Sequence, residues 1–275
     1  MVRADIDFHV IIILYMLKFY KYHGAGNDFI LIDNRDKKFN IKDVENIKLL
    51  CHRRFGVGSD GIITLEEHPG YDFEMIFANP DGSIGAMCGN GGRCIVHFAN
   101  NVLKIIKDPK HVKFLAVDGE HEAEILDNGK IKLKMKDMEN IEVYNGLNFL
   151  MCGTAPHYIQ YVINLESFPI NEEARKIRDK KGNPRGNVNY VEIKEGVYNV
   201  RTYERGVEDE TWACGTGATS VAIASHHLGI LKENICHIKM PGGNLTIEFK
   251  KAKNGTYQNI WLTGPAVCVF EGEIK

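Results

Sequence analysis

Two cysteines of this chain sit in near-copies of one setting, Cys88-Gly89-Asn90-Gly91 and Cys214-Gly215-Thr216-Gly217. Each is followed by an apolar-periodic run, Ile95, Val96, Phe98 and Ala99 after the first and Val221, Ala222, Ile223 and Ala224 after the second, so each thiol is predicted at the start of a helix. There it lies beside backbone N–H groups that lack intrahelical partners, at the positive end of the helix dipole, and both favour an anion. A thiol of reference pKa about 8.5 can be drawn in such a place into the range where thiol and thiolate coexist near neutrality. Proton transfer at carbon is the chemistry this suits. Inverting a stereocentre needs a proton removed from one face and delivered to the other, and a thiolate facing a thiol does both without turning the intermediate over. The N–H groups of Gly89, Asn90, Gly215 and Thr216 are candidate donors to a carboxylate on which charge develops. No pyridoxal or other cofactor is required by this logic, and no lysine stands in a phosphate-binding context.

Competing readings of the cysteines are weaker on spacing. Cys88 and Cys94 as zinc ligands would be separated by five residues, which fits no usual finger, and no paired motif lies nearby, so no metal is expected. Disulfide redox chemistry between Cys88 and Cys214 is a stronger rival, because two close reactive thiols oxidise whatever their task. Cys51, Cys94, Cys152, Cys236 and Cys268 have apolar neighbours or strand positions and are expected to be buried structural thiols. His97, nine positions after Cys88 on the same helix, would lie ~13 Å from it and is read as a packing or surface residue. Gly24-Ala25-Gly26 and Gly56-Val57-Gly58 match neither a dinucleotide fingerprint nor a phosphate loop.

The elements that must position the thiols repeat at domain length. In the first half, strand patterns at Phe29–Ile32, Ile62–Leu65 and Phe73–Phe77 and a helix over residues 41–54 precede the cysteine helix. Strands at Val112–Ala116, Glu122–Leu126 and Lys130–Met135 follow it, with a hairpin turn at Asp127-Asn128-Gly129. The second half has strands at 147–151, 158–162, 188–193 and 198–203, a short helix over 172–179, a loop over 180–186 that reads as the most flexible stretch, and an acidic loop at 208–210. After its cysteine helix come strands at 237–240, 245–249, 261–263 and 266–270.

With 275 residues, 44% hydrophobic and 25% charged, and a net charge of −2, the chain has the size of two domains and no nucleic-acid footprint. Its seven cysteines, an odd number, point to free thiols in a reducing compartment, hence the cytoplasm. The apolar stretch FHVIIILYML at 8–17 is too short to span a bilayer and is preceded by Asp5 and Asp7 where a signal peptide would carry basic charge, so neither a membrane segment nor a signal peptide is expected. It is read as part strand or as an extension upstream of a start at Met16.

With KYHGAGNDFILID, NPDGSIGAMCGNGGRC, TYERG and ETWACGTGATS in this order, the chain resembles diaminopimelate epimerase from about Lys18 to its end. The resemblance implies an α/β fold of the α+β type, with two pseudo-symmetric domains, each a mixed or antiparallel strand barrel around a central helix. Residues 1–134 with 265–275 form the first domain, the last strand returning to it, and 135–264 form the second. It implies a cofactor-independent isomerase converting LL- to meso-diaminopimelate in lysine or peptidoglycan precursor synthesis, with Cys88 and Cys214 as the acid/base pair. Asn27, Asn79, Asn187, Glu204 and Arg205 match substrate-binding positions, Gly89, Asn90, Gly215 and Thr216 match the groups that hold the reacting carboxylate, and His157 with Glu204 matches the pair that sets thiol protonation. The implied partner is the small-molecule substrate, with no nucleic acid and no membrane, and a homodimer is compatible with this reading. Two departures from the family pattern stand out: Ala155 where Asn is common and Gly61 where Gln is frequent, each losing an amide near the distal end of the substrate. The nearest alternative is a proline racemase or hydroxyproline epimerase, where His follows the first Cys-Gly in place of Asn90. From another class, a non-catalytic amino-acid binder or thiol redox protein would keep the fold without needing both thiols.

Overall fold

The structure is a computed structural model that describes residues 16–138, 141–144, 147–152, 155–179 and 186–274, with the backbone alone for 141–144, 147–152 and 155. The apolar stretch before Met16 and the loop over 180–185 lie outside the described residues.

The first half runs β1 (Leu17–Gly24), β2 (Asn27–Asp33), α1 (Val44–Cys51), β3 (Ile62–Glu66), β4 (Phe73–Ala78), β5 (Ile84–Gly85), α2 (Gly89–Asn101), β6 (Val112–Ala116), β7 (Gly119–Ile125) and β8 (Ile131–Lys134). After β9 (Ile141–Tyr144), the second half repeats that order as β10 (Leu147–Cys152), β11 (Ala155–Tyr161), α3 (Ile170–Arg178), β12 (Asn187–Lys194), β13 (Val197–Glu204), β14 (Asp209–Thr211), α4 (Gly215–His227), β15 (Ile235–Met240), β16 (Gly243–Lys251) and β17 (Tyr257–Gly264), and β18 (Val267–Ile274) ends the chain. Strand pairing repeats as well. β2 and β3 are parallel as β11 and β12 are, and β4 and β6 are parallel as β13 and β15 are. The remaining neighbours within each half pair antiparallel. β8 pairs antiparallel with β17, so the halves share one continuous sheet. β18 returns to pair with β1, and β9 pairs with β10 in the equivalent place.

Each half wraps its sheet around a cysteine helix. α2 packs on β1, β2, β3, β7 and β8, and α4 packs on β10, β11, β12, β15, β16 and β17. Both are buried over most of their length, as helices enclosed by sheet: Cys94, Ile95, Val96, Phe98 and Ala99 are buried in α2, and Ala218, Val221, Ala222, Ile223 and Ala224 in α4. The outer helices are shorter and one-sided. α1 starts three residues later than the sequence pattern suggests, because Asp43 caps it through Asn46 N–H at 3.2 Å, and it ends at Cys51.

Two expectations are corrected. Cys268 is exposed: among the described residues β18 pairs with β1 alone, and its residues 267–271 are all exposed. The acidic loop supplies a strand, β14, because Asp209–Thr211 pairs with Thr202–Glu204 of β13. Cys51, Cys94 and Cys236 are buried as expected, and the Cys152 side chain lies outside what is described.

Candidate active site

Cys88 and Cys214 are the N-cap residues of α2 and α4, with the extended backbone such positions take. The helix starts abut because each begins with glycine. A Cβ on Gly215 would lie 3.8 Å from Gly89 Cα and 4.0 Å from Asn90 Oδ1. Asn90 joins them, donating from Nδ2 to the Ala213 carbonyl at 3.0 Å, one residue before Cys214.

On the first side, Cys88 donates to Asn27 Oδ1 at 3.6 Å, and Asn90 Nδ2 donates to the same oxygen at 3.2 Å. Asn27 is oriented by its own Nδ2, which donates to Asp60 Oδ2 at 2.6 Å, and Arg53 holds Asp60 in turn at 2.7 Å. Burial pushes the Cys88 thiol up from its ordinary value. The N–H groups of Gly91 and Asn90 pull it back, Glu204 pushes it further up, and Arg93 draws it down.

On the second side, burial pushes Cys214 well above its ordinary value, and the nearby Glu204 adds to this. Thr216 Oγ1 lies 3.4 Å from Cys214 Sγ, and Gly217 N–H donates to that sulfur at 3.4 Å; both favour the thiolate. Burial raises the Glu204 carboxyl too, against hydrogen bonds to Thr211, whose hydroxyl donates at 2.5 Å, and to Cys214.

His157, fully buried, reaches the thiol through Thr216, its Nε2 being 3.0 Å from Thr216 Oγ1. Its tautomer follows from its neighbours. Asn189 Nδ2 donates to the Tyr158 carbonyl at 3.0 Å and lies 3.1 Å from His157 Nδ1, so Nδ1 accepts and the proton sits on Nε2. The ring donates to the Thr216 hydroxyl, which is free to donate to Cys214. Burial depresses the imidazole to about 3, so it is neutral at physiological pH.

Asn187 is buried beside this chain, accepting from Arg205 N–H at 2.8 Å, with Nδ2 3.4 Å from His157 Nε2. It lines a cavity of about 210 Å3 together with Pro156, Gly186, Glu204, Arg205 and Thr216. Asn79 stands apart from these contacts, its amide donating to Ser83 Oγ at 3.1 Å and closing the turn after β4. Gly61 leaves no vacant amide position. A Cβ there would meet Phe77 Cε2 at 2.4 Å and the Ala78 carbonyl at 2.7 Å. The Ala155 side chain lies outside what is described.

Three participants escape a reading by motif: Asp60, Asn189 and Arg93. Asn189 left a trace, because asparagines two apart in a strand share a face, and both Asn187 and Asn189 are buried. Arg93 lies inside the first cysteine motif and is fully buried.

A family model described as diaminopimelate epimerase matches residues 19–141 and 149–269. The chain is 45% identical over 261 residues to the diaminopimelate epimerase of Flavobacterium psychrophilum, covering 94% of this chain and 100% of that one. To the diaminopimelate epimerase of Chlorobaculum tepidum it is 41% identical over 261 residues, covering 91% and 98%. Among solved structures, a phenazine biosynthesis protein of the PhzF family from Bacillus anthracis superposes with a TM-score of 0.76 at 15% identity, over 95% of this chain and 100% of that one. A hydroxyproline epimerase from Agrobacterium vitis superposes with a TM-score of 0.63 at 13% identity, over 94% and 92%. These two likenesses are of fold alone.

Proposed function

The chain belongs to the diaminopimelate epimerase family, and from that premise we propose that it interconverts LL- and meso-diaminopimelate with Cys88 and Cys214 as opposed acid and base. The observation that carries the reading is the meeting of two thiol-capped helix starts, joined through Asn90, at one site between the halves. In one direction the thiolate of one cysteine takes the α-proton and the thiol of the other delivers its proton to the opposite face. The pair leaves with protonation exchanged and is restored by proton exchange with solvent or by the reverse turnover. The backbone N–H groups of Gly89, Asn90, Gly215 and Thr216 hold the reacting carboxylate as its charge grows. Glu204 and His157 set the thiols' protonation, the latter through Thr216. Asn27, Asn79, Asn187 and Glu204 bind the substrate, and Arg205, at the cavity, pairs with the distal carboxylate through its two-pronged guanidinium. With Gly61 closed off by Phe77, discrimination at the distal end falls more heavily on Arg205.

The same reading divides the chain into 1–134 with 265–275 and 135–264, supported by the return of β18 to β1. It places the protein in the cytoplasm, in lysine or cell-wall precursor synthesis, and allows a homodimer. The six cysteines whose side chains are described are all free, as a reducing compartment would leave them. The exposed Val267, Val269 and Phe270 of β18 offer a self-complementary apolar edge.

Fully reduced protein is expected to convert LL- to meso-diaminopimelate and to exchange the α-hydrogen with solvent deuterium, leaving proline untouched. Absence of exchange sinks the epimerase reading, and turnover of proline moves the chain toward the racemases. Cys88→Ala and Cys214→Ala are each expected to abolish epimerisation; near-full activity in either refutes the two-base mechanism.

A further inference from the structure

Both thiols share one local motif, yet the charges around them differ. Arg93 is completely buried, and its guanidinium meets only neutral acceptors: Nη1 donates to the Gly89 carbonyl at 3.0 Å, Nη2 to Asn90 Oδ1 at 2.9 Å and Nε to the Pro265 carbonyl at 3.3 Å. No carboxylate forms an ion pair with it among the described residues. A guanidinium taken out of water without a counter-charge is costly, and partial charges on carbonyl oxygens offset only part of that cost. A Cβ on Gly264 would stand 2.6 Å from Leu245 Cδ2 and 2.9 Å from Arg93 Nε, so the absence of a side chain there leaves room for both. The corresponding position of α4 carries Thr219, which donates to the Gly215 carbonyl at 2.9 Å. The second cysteine helix has no cation there.

We propose that Arg93 is the standing counter-charge of the site, a positioning residue that favours the thiolate at Cys88 over Cys214 and holds Asn90 across the junction of the two helices. The inference rests on the reading of the two cysteines as the acid/base pair. Other titratable groups around Cys88 are Cys94 on α2, Cys214 and Glu204 from the second half, and Asp60 behind Asn27. Beside them, Asp118 accepts from Met87 N–H at 3.0 Å and is itself bound by Lys136 and His121 at 3.1 Å each. Around Cys214 stand Glu204, Cys88 and the neutral His157 behind Thr216. Glu204 thus acts on both thiols, whereas the cation is held by Gly89 and Asn90, the two residues that follow Cys88 on α2. On ionisation, Cys88 releases Asn27 Oδ1 to Asn90, whose amide already points at it.

The test is alkylation of the full-length reduced protein by iodoacetamide across a pH series, with mass spectrometry separating the Cys88 and Cys214 peptides. Cys88 is expected to react with the lower midpoint. Arg93→Met should raise that midpoint by about one pH unit, a tenfold loss of thiolate at a given pH, and move Cys214 much less. Arg93→Lys, which keeps the charge but not the fork, should restore most of the Cys88 midpoint. Cys214 reacting first in the unaltered protein overturns the proposal even if Arg93→Met fails to fold, as does an unmoved Cys88 midpoint in a folded Arg93→Met. Cys88 reacting first in a protein that exchanges no α-hydrogen would sink the epimerase reading and leave the charge assignment standing.

Discussion

Replacing Thr216 with valine removes one hydroxyl and keeps the side-chain shape and the backbone N–H. In the structure that hydroxyl receives the His157 Nε2 proton at 3.0 Å and lies 3.4 Å from Cys214 Sγ. Valine thus has two consequences. His157 Nε2–H then loses its acceptor among the described residues, because Asn187 presents its own donor at 3.4 Å and its Oδ1 is committed to Arg205. An unsatisfied buried donor costs about 1–3 kcal/mol of stability. Cys214 also loses a hydrogen bond that favours its thiolate, and a bond to a charged group contributes about 1.5–3 kcal/mol, equivalent to one to two pH units. Since Cys214 already lies well above its ordinary value, the loss raises it further, and the limb of activity that needs its thiolate moves to higher pH. At neutral pH, turnover in the direction that uses Cys214 as base should fall roughly tenfold to a hundredfold. Thr216→Ser, which keeps the hydroxyl, should retain most activity. The assay is solvent deuterium exchange from each stereoisomer across pH. An unshifted profile in a folded Thr216→Val protein would refute the relay from His157 through Thr216 to Cys214.

His157 supplies a stability prediction. Its folded-state value of about 3 lies below the ordinary 6.5, so the unfolded chain binds the proton more readily; its contribution is complete above about pH 6.5 and is lost as pH falls through that window toward 3. Urea melts at pH 7 and pH 5.5 should show up to about 1.4 kcal/mol per pH unit from this group below pH 6.5, and His157→Gln should flatten that dependence; equal slopes would show that the ring is not held neutral. At Gly61, restoring the family's frequent residue with Gly61→Gln should destabilise by about 1–3 kcal/mol or more, because the new Cβ meets Phe77 at 2.4 Å and backbone oxygen at 2.7 Å. A thermal melt that stays unchanged or rises would show that Phe77 moves aside freely. Gly264→Ala should likewise lower the melting temperature, because the new Cβ would meet Leu245 Cδ2 at 2.6 Å and Arg93 Nε at 2.9 Å; an unchanged melt would show that both side chains give way freely.

The helix-capping positions of the two thiols were legible in the chain because they rest on local rules. A cysteine before Gly-x-Gly and an apolar-periodic run can be recognised as a helix cap without knowledge of anything distant, and its recurrence at domain length announced two related halves. Strand positions around both helices followed from alternation and turn residues for the same reason. Short elements held in place by partners rather than by their own pattern, such as β5, β9 and β14, were not recoverable this way. Exposure of Cys268 depends on what covers β18, and an apolar alternation reads alike in a covered and an uncovered strand. The inequality of the two thiols also lay beyond the motif, since Cys88-Gly89-Asn90-Gly91 and Cys214-Gly215-Thr216-Gly217 are locally equivalent. The fold sets further groups around them: Glu204 from β13 acts on both, Arg93 is held at the start of α2, and His157 reaches Cys214 through Thr216. Sequence alone determined that two helix-capping thiols exist; the tertiary structure decided which buried groups surround them, because electrostatic interactions act through space and bring in residues, such as Glu204 beside Cys88, that lie far off in the chain.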